Sequence, residues 1–107
     1  MTELNKDTYD SHVINGKGVT VVDFWGETCV RCMQIMPGLE ALEEEFSRKA
    51  LFAKVNIQGN RRLAMREQVM SLPSVLIFKD GERKAFLTGG SFTADDVKTK
   101  LQEVLDA

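Results

Sequence analysis

Apolar positions along the chain change their period several times, and each change predicts an element. Val19-Thr20-Val21-Val22-Asp23-Phe24-Trp25 is apolar at nearly every position and rich in β-branched residues. Such a run predicts a central strand covered on both faces. The spacing then becomes helical. Cys32, Ile35, Met36, Leu39, Leu42 and Phe46 form one stripe, which predicts a helix from just after Cys29 to about Lys49. Pro37 inside it predicts a bend, because proline removes a backbone donor and crowds the preceding turn. Leu51 to Ile57 alternates in part and predicts another inner strand, and residues 60 to 69 predict a short helix with Leu63, Ala64 and Val69 inward. Val75 to Phe78 predicts a buried strand. Asp80-Gly81 predicts a tight hairpin into a return strand over residues 84 to 87. Gly89-Gly90 breaks the pattern. A capping box of Thr93 and Asp96, with Phe92 stapled on Val97, then opens a last helix burying Val97, Leu101, Val104 and Leu105. At the front, residues 3 to 5 predict an edge strand. Asp7 reads as the N-cap of a short helix that buries Tyr9, Val13 and Ile14 and stops at Gly16. The order βαβαβαββα describes an α/β fold, a mixed central sheet with helices on both faces.

Length and charge narrow the classes. The chain has 107 residues, which points to a single domain spanning 1–107. A net charge of −2 offers no basic excess for nucleic acid or an anionic membrane surface. No apolar run approaches the ~20 residues of a membrane span. The first residues lack the basic-then-apolar layout of a signal peptide, so the expected compartment is the cytoplasm. There a close cysteine pair is more often redox-active or metal-binding than structural.

The chemistry gathers in Trp25-Gly26-Glu27-Thr28-Cys29-Val30-Arg31-Cys32, which holds both cysteines of the chain where a strand hands over to a helix. Unsatisfied N–H groups at a helix start favour negative charge, so a thiolate at Cys29 is expected to form more readily than at a free thiol. Cys32 shares the apolar stripe and is expected to be less exposed. Asp23 interrupts the buried strand. If it is desolvated its pKa rises; the plain alternative is an Asp at a strand end that reaches water. Lys54, among apolar neighbours, either snorkels or meets a carboxylate. His12, the one histidine, reads as a surface residue. Arg61, Arg62 and Arg66 give their helix a basic face, and Glu40, Glu43, Glu44 and Glu45 form a solvated acidic one.

These residues together resemble the thioredoxin family, over essentially the whole chain. The resemblance rests on Val21-Val22-Asp23-Phe24-Trp25, on Cys29-Val30-Arg31-Cys32 with Pro37 five residues on, and on Lys54-Val55-Asn56. Leu72-Pro73-Ser74, Lys79-Asp80-Gly81-Glu82 and Gly89 complete it. It implies a thioredoxin-like fold and reduction of protein disulfides by a dithiol/disulfide pair. In that scheme Cys29 is the nucleophile, Cys32 resolves the mixed disulfide, Asp23 accepts the Cys32 proton and Lys54 is the charge partner of Asp23. Trp25, Val30, Arg31, Leu72, cis Pro73 and Gly89 would form the substrate face, with Leu72 pairing its backbone to an extended peptide. The resemblance also implies a monomer with no cofactor or metal of its own, recycled by a flavin-dependent thioredoxin reductase.

The sequence departs from the family where Gly-Pro is usual between the cysteines and an aromatic residue before them; Val30-Arg31 and Thr28 stand there instead. A cation at Arg31 is expected to favour the thiolate and raise the reduction potential, by about 30 mV if it contributes about 1.4 kcal/mol. Two other readings stay open on the residues alone. One is a glutaredoxin-like or more oxidising relative on the same fold; the other is a zinc or iron–sulfur module, which two cysteines would complete only by dimerising.

Overall fold

A computed structural model describes residues 1–107. Its elements in chain order are β1 (Thr2–Leu4), a π-helical turn (Asp10–Ile14), β2 (Val19–Trp25), α1 (Val30–Glu45), β3 (Ala50–Asn56), α2 (Arg61–Arg66), β4 (Ser74–Lys79), β5 (Glu82–Thr88) and α3 (Ala94–Asp106). The five strands form one sheet in the order β1-β3-β2-β4-β5. β1, β3 and β2 run parallel, and β4 and β5 are antiparallel to their neighbours. This is the mixed α/β sheet that the change from crossover connections to a hairpin implies.

The period of two along the strands sorts side chains into two layers. Val21, Phe52, Val75 and Ile77 face α1 and α3, where Ile35, Leu39, Leu42, Val97 and Leu101 cover them. Val22, Phe24, Val55, Leu76 and Phe78 face the opposite way, onto Tyr9, Val13, Leu63 and Val69. β2 is covered on both sides, which is why its sequence runs apolar without alternation. By the same alternation Asp23 and Lys54, paired in register, belong to the α1/α3 layer.

Four expectations are corrected. Asn5, not Asp7, organises the first turn: its Oδ1 accepts from the N–H groups of Asp7 and Thr8. Ile14 is exposed rather than inward. Met36 is only half-buried. α1 stops at Glu45, because the chain must turn back into β3; the N–H groups of Lys49 and Ala50 both close on the Phe46 carbonyl. The hairpin is as expected. Asp80 (φ +51) and Gly81 (φ +81) are both left-handed, the geometry of a type I′ turn.

Candidate functional site

β2 delivers Trp25 to the carboxyl edge of the sheet, and a short loop carries the chain to α1. Cys29 is the N-cap of that helix, with extended dihedrals (φ −86°, ψ 102°). Its Sγ accepts the Cys32 N–H at 3.1 Å, so the sulfur itself satisfies one of the free donors at the helix start. Cys29 and Cys32 are joined as a disulfide, with Cα atoms 5.2 Å apart. Cys32 is fully buried, whereas Cys29 is half-exposed and lines a groove of about 490 Å³. The outer and inner placement of the two sulfurs agrees with their places on the helical stripe.

Gly26 lets this corner close. A Cβ there would lie 3.1 Å from Leu72 Cδ1 and 3.2 Å from Ile57 Cγ2, with Cys29 Cβ at 4.0 Å. The Leu72–Pro73 peptide bond is cis and Pro73 is buried, just ahead of β4. Neither the N–H nor the C=O of Leu72 is hydrogen-bonded within the chain. The Cys29 groove is also lined by Ile57, Arg61, Met65, Met70 and Leu72. Met65 and Met70 are 69% and 86% exposed, and with Val30 at 70% they are the most exposed large apolar side chains of the molecule.

On the side of β2 that α1 and α3 cover, Asp23 has no accessible surface, and neither carboxylate oxygen has a hydrogen-bond partner. Burial pushes its pKa up to about 7; the charge of Lys54 pulls the other way. Lys54 stands beside Asp23 in register but aims its ammonium over the Trp25 ring, 5.4 Å from the centroid. It forms no close ion pair with the carboxylate, whose oxygens stay free. The indole Nε1 of Trp25 is likewise buried without a partner. Arg31 turns to the Phe92 carbonyl at 2.6 Å. Gly89, at φ +99°, follows β5 directly.

The structure thus gathers Cys29 and Leu72 around Gly26, with Cys32 bonded to Cys29 and cis Pro73 adjoining Leu72, and brings Asp23, Lys54 and Trp25 together on one sheet face. Val30 is exposed at the start of α1, and Arg31 bonds the far end of the segment that Gly89 opens. His12 lies on the exposed π-helical turn. Arg61, expected on a basic helix face, lines this groove, and so do Ile57, Met65 and Met70, to which the sequence patterns assign no part in the site. The signal was available by elimination: with Leu63, Ala64 and Val69 inward, the two methionines had to face out, and exposed apolar clusters mark contact surfaces.

An accessible sulfur capping a helix and bonded to a buried one, beside an open groove, defines a dithiol/disulfide oxidoreductase. The family model described as Thioredoxin matches residues 1–103. The chain is 36% identical over 105 residues to the thioredoxin of Acetoanaerobium sticklandii, covering 98% of this chain and all of that protein. It is 34% identical over 107 residues to that of Rhodospirillum rubrum, covering 100% of this chain and 98% of the relative. With that of Peptoclostridium acidaminophilum it shares 29% over 101 residues, covering 94% and 92%. The chain belongs to the thioredoxin family, and its activity is thiol–disulfide exchange.

Proposed function

We propose that the chain, acting as one redox unit, reduces protein disulfides in two steps. The Cys29 thiolate attacks one sulfur of the substrate disulfide, forming a mixed disulfide and expelling the other substrate sulfur as a thiolate. Cys32 loses its proton to the Asp23 carboxylate and attacks Cys29 Sγ. The Cys29–Cys32 bond forms, the mixed disulfide breaks, and two electrons have passed to the substrate. Lys54 moderates the pKa of Asp23, and Trp25 shields the carboxylate from water. Leu72, with its backbone groups unused beside Pro73, pairs with an extended substrate segment in strand-addition fashion. The groove formed with Met65 and Met70 supplies an adaptable apolar bed. The oxidised pair is returned to the dithiol by a flavin-dependent thioredoxin reductase, and the chain works as a monomer in the cytoplasm. No helix is long and apolar enough to cross a membrane.

The observation that carries this reading is the asymmetry of the two sulfurs: one lines the groove at a helix start, the other is sealed beneath it. Reduction of insulin by the parent, Cys29→Ser and Cys32→Ser tests it. Neither variant is expected to turn over, and only Cys32→Ser accumulates a mixed disulfide. Turnover by Cys29→Ser would reverse the roles.

A further inference from the structure

Arg31 lies between the two cysteines in sequence, and its side chain bonds a distant part of the chain. Nη2 donates to the Phe92 carbonyl at 2.6 Å, and this is the only hydrogen bond the guanidinium makes. Nε is buried without a partner, so the group is packed against the chain rather than held out in water. Helix packing explains the reach. Arg31 and Gly38 lie seven residues apart on α1, two turns along one face. At Gly38 a Cβ would come within 2.7 Å of Ala94 Cβ, so the start of α3 rests on α1 there. The chain running back from Ala94 to Phe92 meets Arg31.

The segment Gly89-Gly90-Ser91 is tied at its other end too. Thr88 pairs with Ser74 in register, and its hydroxyl lies 2.8 Å from Ser74 Oγ and 3.1 Å from Ser71 Oγ. Gly89 to Ser91 therefore cross from the Pro73 turn to the first turn of α1. They make no hydrogen bond of their own, and a Cβ at either glycine would meet nothing within 4 Å. Two adjacent glycines leave such a crossing with wide conformational freedom unless its ends are held.

We propose that Arg31 is a positioning residue: by clamping the Phe92 carbonyl it fixes the Gly89–Ser91 crossing as a second rail for an extended substrate, opposite Leu72. It thereby sets affinity for protein disulfides, and its charge does not govern the Cys29 thiolate. This revises the expectation of a raised reduction potential, and it rests on the reading that substrate lies along Leu72.

The test compares the parent with Arg31→Ala. With insulin as substrate, KM rises about tenfold while kcat stays within about twofold. Turnover of cystamine, too small to use the rails, and the redox equilibrium with dithiothreitol stay within about twofold. Amide order parameters of Gly89 and Gly90 fall. Should Arg31→Ala fail to fold, Arg31→Gln, which removes the charge and shortens the donor, carries the same expectations. An unchanged insulin KM overturns the proposal. So does an equilibrium moved more than twofold, because that assigns Arg31 to the thiolate. Pro73→Ala, run alongside, tests the underlying reading: if it leaves insulin KM unchanged, substrate does not lie along Leu72, whatever Arg31→Ala does.

Discussion

The two faces of the sheet each bury a polar group, and they treat it in opposite ways. On the α2 side, the fully buried Tyr9 donates its hydroxyl to Glu67 at 2.7 Å. Arg66 lies over the Tyr9 ring, at 5.7 Å, and grips Asp10 with two hydrogen bonds of 3.1 and 2.6 Å. Arg83 donates to the Glu67 carbonyl and to Gln68. Burial and the Glu67 bond drive the Tyr9 pKa far up, so its proton stays in place. On the α1 side, Asp23 is just as buried and has nothing to bond. A satisfied buried network adds rigidity, whereas an unpaired carboxylate costs stability and keeps its proton negotiable. The first face holds its proton fixed, and the second buries a carboxylate that exchanges its proton near pH 7.

The largest contrast concerns stability against pH. The Asp23 pKa is raised in the fold from an ordinary 3.8 to about 7, so the native state binds more protons than the unfolded chain between those values. Stability therefore falls as pH rises from about 4 to about 7 and is level above. At about 1.4 kcal/mol per pKa unit, that loss is on the order of 4 kcal/mol. Asp23→Asn, which imitates the protonated acid, should match the parent at pH 4 and exceed it by that order at pH 8, measured by urea unfolding at both pH values. A parent as stable as Asp23→Asn at pH 8 would show that the carboxylate has found a partner.

The opposite face should respond with the other sign. Glu67→Gln weakens a charge-assisted bond to a buried hydroxyl and should cost about 2 kcal/mol in the same experiment, with insulin turnover unchanged. A gain in stability, or a loss of turnover, would erase the distinction between the faces. Smallest is Arg66→Ala. The pair with Asp10 is half-exposed, so its loss should cost less than about 1 kcal/mol and shrink further in salt.

Much of this architecture is written in local patterns. β2 comes out residue for residue, because a strand sealed on both faces runs apolar from its first residue to its last, with Thr20 and Asp23 its interior exceptions. The Thr93–Asp96 capping box forms with both of its bonds. Where the answer depended on tertiary contacts, local patterns fell short. The stop of α1 at Glu45 has no glycine or proline to announce it; the demand to enter β3 beside β2 sets it. Tyr9 read as a core residue, but its link to Glu67 spans 58 positions and leaves no periodic trace. The site divides the same way. The cysteines and Asp23 stood out by type and place, while Met65 and Met70 join the groove only once α2 folds over Cys29. The bond from Arg31 to the Phe92 carbonyl spans 61 residues and likewise leaves no local trace.

The decisive measurement is the rate at which Cys32 releases a preformed mixed disulfide, followed in a single turnover across pH. In the parent it should rise with the ionisation of Asp23, through a midpoint near pH 7, and then level. In Asp23→Asn it should be about a hundredfold slower at pH 8 and lack that midpoint. Superimposable profiles for the two proteins would mean that the unpaired carboxylate takes no proton from Cys32.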